Sequence, residues 1–249
     1  MSQGSLASPR PVGILGGMGP AAGADFVRLF VQACTEQMQR SGRPVNDQAF
    51  PEHWLAQVPV PDRSEALREG RDEPLDAMAE AIARLRGCGA RAVAMACNTA
   101  HAWHARLQAR FPDTELLHVA GEVAARLRAA GVREVGLMAT LGTYRTGLYD
   151  EALAAAGIAC HLPLERERAT LMRGIYEGVK TGDLVLARAC FVEVAQALRA
   201  RHGTGIALIM GCTEIPLALE EAPLAAQWQL LNPARVLAQA LADRAYAAA

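Results

Sequence analysis

Two cysteines in this chain stand in matching surroundings. Cys97 ends the apolar run "ARAVAMAC" (90–97) and opens "CNTAH"; Cys212 ends "IALIMGC" (206–212) and opens "CTEIP", 115 positions later. Each puts a thiol where a hydrophobic strand runs out into a polar turn, ahead of a helix-like segment. The backbone N–H groups of such a turn hold an anion, and a helix N-terminus there favours the thiolate. Asn98, Thr99 and Thr213 add side-chain donors suited to a carboxylate. One such cysteine is most simply a small core residue. Two in equivalent places read as a pair of acid–base groups, one to take a proton and one to give it.

A metal site is the competing reading, since Cys97, His101 and His104 fall at i, i+4 and i+7 of one helix face. Zinc needs a further ligand from elsewhere, and none is evident; no metal is expected, and His101 is read as support for the Cys97 loop. "GGMGP" (16–20) lacks the full G-x-G-x-x-G of a dinucleotide site and the acidic residue that ends its second strand. It reads as a tight turn that brings Met18 to a cleft. "ATLGT" (139–143) is its counterpart, offering Thr140 and Thr143. Cys34, Cys88, Cys160 and Cys190 lack the strand-end setting and read as packing residues. With no C-x-x-C, all six cysteines are expected to be free thiols.

A repeat positions these residues. "PVGILGG" (11–17) is a short strand followed by glycines and a helical stretch, "AAGADFVRLFVQACTEQM". The helical "LDAMAEAIARLRGC" (75–88) then leads into the Cys97 strand. The second half answers with a strand at 133–140, a helix at 146–157, a long amphipathic helix at 183–203 and the Cys212 strand. Strands alternating with helices imply an α/β fold: two similar domains, each a mainly parallel sheet with helices on both faces. The first would span 11–115 with 232–249 returning to it as a helix, the second 116–231, after a disordered lead-in over 1–10. Ligands bind such sheets beyond the carboxyl ends of the strands, so two facing halves would put both thiols across one cleft.

Composition narrows the function classes. The 249 residues are 51% hydrophobic, enough for a large core, and the net charge of −1 comes with no basic stretch suited to nucleic acid or an acidic membrane surface. No apolar run approaches the ~20 residues of a membrane span, and residues 1–10 do not read as a signal peptide, so a cytoplasmic protein is expected. The cations are 24 arginines and a single lysine, Lys180. A lysine kept where arginine serves everywhere else points to a specific role.

From Val12 to Pro233 the chain resembles the aspartate/glutamate racemase superfamily of cofactor-independent amino-acid racemases. "GILGGMGP", "PDRS" (61–64), "ACNTAH", "MRGIYEGVKTGDL" (172–184) and "GCTEIP" follow its aspartate branch in order. Glutamate racemases proper begin with Asp-Ser-Gly and follow the second cysteine with Thr-His; here stand Gly16-Gly17-Met18 and Thr213-Glu214. Two further departures are Gly23, where a Thr is common, and the stretch "FPEHWLAQVPV" before Arg63. The resemblance implies pseudo-twofold related domains with the active site between them. It implies interconversion of L- and D-aspartate, with glutamate as second candidate, by proton transfer between Cys97 and Cys212. Arg63, as a fork, and Lys180, as a point charge, would hold the distal carboxylate. Met18, Asn98, Thr99, Thr140 and Thr213 would bind the rest of the substrate, with His101 and Glu214 in support. No cofactor, pyridoxal phosphate included, is implied, and a homodimer is. The alternatives are a racemase of broad specificity or a related isomerase, or a non-catalytic protein that binds a dicarboxylic amino acid.

Overall fold

The structure is a computed structural model that describes residues 8–247. Strands β1 (Val12–Gly16), β2 (His53–Gln57), β3 (Ala92–Met95) and β4 (Glu115–Leu116) form one parallel sheet in the order β2-β1-β3-β4. Strands β5 (Glu134–Ala139), β6 (Ala159–His161), β7 (Ala207–Gly211) and β8 (Leu230–Leu231) form another in the order β6-β5-β7-β8. The orders are the same, and so is the place of the cysteine strand, third in each half and beside the first. Register follows suit: Val12 lies opposite Ala92, and Val135 opposite Ala207.

Period-two alternation sorts the strand side chains. Ala92, Ala94 and Ala96 of the first half and Ala207 and Ile209 of the second enter a core cluster shared by both halves. Val93, Met95 and Cys97 belong to a cluster of the first half alone, with Leu75, Ile82 and Leu85 of α3 (Glu73–Gly87), and Leu208, Met210 and Cys212 to one of the second. The shared cluster also takes in α1 (Pro20–Arg40), α5 (Val119–Ala129) and the C-terminal α11 (Pro233–Tyr246), which runs along α1 and α5. Buried Phe30, Leu127, Leu237 and Leu241 each contribute roughly 1.5–3 kcal/mol there, so the halves pack as one body. Asn232 caps α11, its Oδ1 accepting the N–H groups of Ala234 and Arg235.

Several details differ from the sequence expectation. The short outer strands β2, β4, β6 and β8 carry no pattern long enough to announce them. The helix expected over 146–157 is only α7 (Asp150–Ala155), because Gly147 adopts a left-handed φ of 60° after the short α6 (Leu141–Arg145). Of the expected disordered lead-in, residues 1–7 lie outside the described residues, whereas Arg10 donates its N–H to the Ala245 carbonyl at 2.7 Å. Cys88, read as a packing residue, is exposed. The departures at Gly23 and in the stretch before Arg63 compensate each other. The Gln57 amide, held by the Pro20 carbonyl, fills space that a Cβ at residue 23 would need, 2.3 Å from such a Cβ.

Candidate active site

Each cysteine leaves its strand into a turn, not directly into a long helix. Cys97 and Asn98 lead into a 3₁₀ turn over Thr99–Trp103 and then α4 (His104–Arg110). Cys212 is followed by a turn and the four-residue α10 (Pro216–Leu219). Helices this short carry little dipole, so side chains set the charge at each thiol. Both cysteines are 6% exposed, and both line one chamber at the carboxyl ends of the strands.

The Cys97 loop is held from behind by His101, whose Nδ1 lies 2.9 Å from the Cys97 carbonyl and 3.2 Å from that of Asn98. Its Nε2 faces the Leu117 carbonyl, and His104 Nε2 the Leu116 carbonyl. These imidazoles are occupied with backbone, which is the reason the i, i+4, i+7 spacing makes no metal face. Burial, with His118 and His104 nearby, lowers the His101 pKa to about 3. Asn98 is oriented from the second half. The buried Tyr149 hydroxyl donates to its Oδ1, which leaves the amide N–H groups for the chamber. Sequence reading missed Tyr149, because its partner is 51 residues away. Thr99 and Thr140 complete this wall and, with Thr143, form three mutually bonded hydroxyls, 2.9 to 3.1 Å apart, one half supplying Thr99 and the other the remaining two.

At the second thiol the neighbour is a carboxylate. Cys212 Sγ donates to Glu214 Oε2 at 2.9 Å, the Thr213 hydroxyl reaches the same oxygen at 3.2 Å, and the Gly19 N–H meets Oε1 at 3.3 Å. Burial first, and the Glu214 charge second, push the Cys212 thiol well above the usual cysteine range. A helix-depressed pKa, the expectation from sequence, is not what Cys212 has.

Arg63 stands at the other thiol. It opens α2 (Arg63–Glu69) and is 8% exposed. Its terminal nitrogens donate to the carbonyls of Val60, Pro61 and Met18 at 2.7 to 3.1 Å, so the expected fork is largely spent on backbone. Its Nε is buried without a hydrogen-bond partner among the described residues. Burial works against the guanidinium, but its interaction with Cys97, then with Asp62 and Glu214, outweighs it and holds its pKa above the ordinary arginine value. The guanidinium thus serves Cys97 and the Met18 turn together.

Lys180 lies across the chamber, in a 3₁₀ turn (Val179–Thr181) that follows α8 (Glu165–Arg173) and a π-helical turn (Gly174–Gly178). Gly174 and Gly178 let that turn lie against α9 (Leu184–His202): a Cβ on either would come within 2.7 Å of Phe191 or Ala187. Lys180 Nζ sits 4.0 Å above the Tyr176 ring and 3.9 Å from Asp62 Oδ2, which also accepts the Tyr176 hydroxyl at 2.9 Å. Every candidate except His101 and Thr143 lines the chamber, and Asp62, Ser64, Ile175 and Tyr176 line it as well. Asp62 sits inside the quoted "PDRS" and Tyr176 inside "IYEGVK". A cap residue and a helical tyrosine carry no sequence mark of facing a cleft.

Comparison with known proteins agrees with this architecture. The profile of the Asp/Glu/Hydantoin racemase family matches residues 15–241. The fold superimposes on the aspartate racemase of Picrophilus torridus with a TM-score of 0.78 at 28% identity, covering 95% of this chain and 94% of that one. A glutamate racemase of Roseobacter denitrificans is 27% identical over 69% of this chain and 68% of its own length. A broad-specificity amino-acid racemase of Bacillus subtilis is 25% identical over 59% of this chain and 61% of its own length. With its repeated sheets and two strand-end cysteines in one chamber, the chain belongs to the Asp/Glu/Hydantoin racemase family, and it is an isomerase.

Proposed function

We propose that the protein interconverts L- and D-aspartate by moving the Cα proton between Cys97 and Cys212, using only its own side chains. The observation that carries this reading is the unlike company of the two thiols in one chamber: a guanidinium by Cys97, a carboxylate 2.9 Å from Cys212. In the free protein the proton then stays on Cys212, where burial and the Glu214 carboxylate hold it, and Cys97 beside the guanidinium is the thiol assigned as base. Cys97 takes the Cα proton from one face and Cys212 delivers its own to the other. For the opposite enantiomer the roles reverse: Glu214 accepts the Cys212 proton, Cys97 takes one up from solvent, and Cys212 begins as thiolate with Cys97 as the thiol that delivers.

A Cα–H is on the order of 20 pKa units weaker an acid than a thiol, about 27 kcal/mol. The site must stabilise the charge that grows on the α-carboxylate as the proton leaves. The Asn98 amide, aimed by Tyr149, is the donor left for it, and the Thr99 and Thr140 hydroxyls join it when they turn from each other to the substrate. Met18 shapes the chamber through the carbonyl that fixes Arg63. Lys180 receives the distal carboxylate. A homodimer in the cytoplasm remains part of this proposal.

The test is turnover followed by circular dichroism over the common amino acids, with Cys97→Ser and Cys212→Ser beside the parent. Each variant should lose at least a thousandfold for aspartate while keeping its far-ultraviolet spectrum. Because enantiomers are equally stable, kcat/KM must fall equally in both directions. A variant within tenfold of the parent removes that cysteine from the mechanism. A second reading, a racemase of broad specificity, is favoured by Asp62, which already supplies Lys180 with a carboxylate.

A further inference from the structure

The chamber between the thiols has a free volume of about 20 Å³, room for one water and not for an amino acid. Outside it lies a cavity of about 630 Å³, floored by Leu141 and Met172. Asp62, Ser64 and Tyr176 line both spaces, so these three side chains are the partition between them. Substrate coming from that side has to displace the partition.

Asp62 comes from the first half, while Tyr176 and Lys180 come from the second. The carboxylate divides its oxygens between two tasks. Oδ1 caps α2 by accepting the Glu65 N–H at 2.9 Å. Oδ2 crosses the cleft to the Tyr176 hydroxyl and to Lys180. Burial disfavours its charge, but Glu65, Tyr176, Lys180 and Arg63 together hold its pKa below the usual carboxylate range. At 3.9 Å, with both side chains more than a quarter exposed, the Lys180 contact is a loose ion pair that another carboxylate can replace.

We propose that Asp62 determines specificity: its carboxylate holds the place beside Lys180 that the second carboxylate of a dicarboxylic amino acid takes, and it withdraws when such a substrate binds. The inference rests on the reading of this chamber as the amino-acid site. A dicarboxylate exchanges one anion for another at Lys180 and leaves the partition open. A substrate without a second carboxylate allows Asp62 to return, so Lys180 stays neutralised over it. Asp62 thus lets one site tolerate neutral amino acids, at a cost in affinity for acidic ones.

The experiment measures alkylation of Cys97 by N-ethylmaleimide, mapped by peptide mass, in the parent, Asp62→Asn and Tyr176→Phe. Succinate, a dicarboxylate with no Cα amine to racemise, is titrated as protecting ligand, so the readout does not require turnover. Asparagine keeps the α2 cap, and phenylalanine removes one hydroxyl. Without ligand, Cys97 should react at least tenfold faster in both variants than in the parent. The succinate concentration that halves the rate should fall at least tenfold in Asp62→Asn, where no internal carboxylate competes, and less in Tyr176→Phe. Cys34, buried in the shared core, reports unfolding. An unchanged or higher half-protecting concentration in Asp62→Asn overturns the proposal. So does accelerated Cys34 labelling in both variants, which would make the contact a structural strut. Loss of turnover in the parent with these labelling results intact would instead remove the racemase reading and keep Asp62 as a gate on a dicarboxylate site.

Discussion

A thiol that must release its proton in a buried place needs an acceptor beside it. In the proposed mechanism Glu214 is that acceptor for Cys212, 2.9 Å from its sulfur, and its charge is also the second cause, after burial, of the raised thiol pKa. Glu214→Gln keeps the shape and removes both. In the pH profile of kcat/KM, the alkaline limb belongs to the thiol that must still carry a proton. That limb should move to lower pH in the variant, because the charge holding the thiol up is gone. The rate should fall by about a hundredfold, equally for both enantiomers. An alkaline limb that stays in place would mean that the limb belongs to another group. At this scale the meeting of the two cysteines, their polar neighbours and Lys180 in one chamber was legible, since each stands next to its own signal in the chain. What Arg63 does was not. A sequence shows a cation; only the folded chain brings three carbonyls to occupy most of its donors.

The elements that aim these residues are irregular, and their irregularity has local causes. Two glycines seat the π turn on α9 and so bring Tyr176 and Lys180 to the cleft. A 3₁₀ turn carries His101 under the Cys97 loop, where three carbonyls face one imidazole. Its folded pKa of about 3 lies below the ordinary value, so between about pH 3 and 6.5 the unfolded chain binds a proton that the folded one refuses. Stability should rise with pH through that window and be lost as pH falls, by up to about 1.4 kcal/mol per unit from this group. Urea denaturation of His101→Gln should give a shallower pH slope than the parent in that window, on a lower baseline. An identical slope would show that the imidazole is not held neutral. Tyr149→Phe tests the opposite wall. Losing the donor to the buried Asn98 oxygen should cost about 1–3 kcal/mol in stability and lower kcat/KM for aspartate. Unchanged values for both would mean that Asn98 is oriented by something else.

Across the whole molecule, what matters is that two copies of one sheet order share a core, so that a thiol from each half reaches one chamber. Opposed thiols predict a labelling pattern. Starting from one enantiomer in deuterated water, the product should carry solvent deuterium from the first turnovers, and recovered substrate should carry little. Equal labelling of both from the outset would point to one shared base and reject the facing pair.

The sequence by itself determined the α/β class, the repeat, the cysteine strands and the family resemblance. Each of these is written in local periodicity or in contiguous motifs, and strand alternation alone settles the face from which a side chain emerges. The chamber was decided by tertiary structure. Its volume, the spent donors of Arg63, the carboxylate at Cys212, the Tyr149–Asn98 bond and the Asp62 bridge to Tyr176 and Lys180 all depend on how side chains pack after the chain has folded. Three of the contacts that close it join residues 41, 51 and 114 positions apart. No local pattern encodes such a contact: it exists because the shared core holds the two halves at one fixed separation, and the side chains between them have to satisfy each other there.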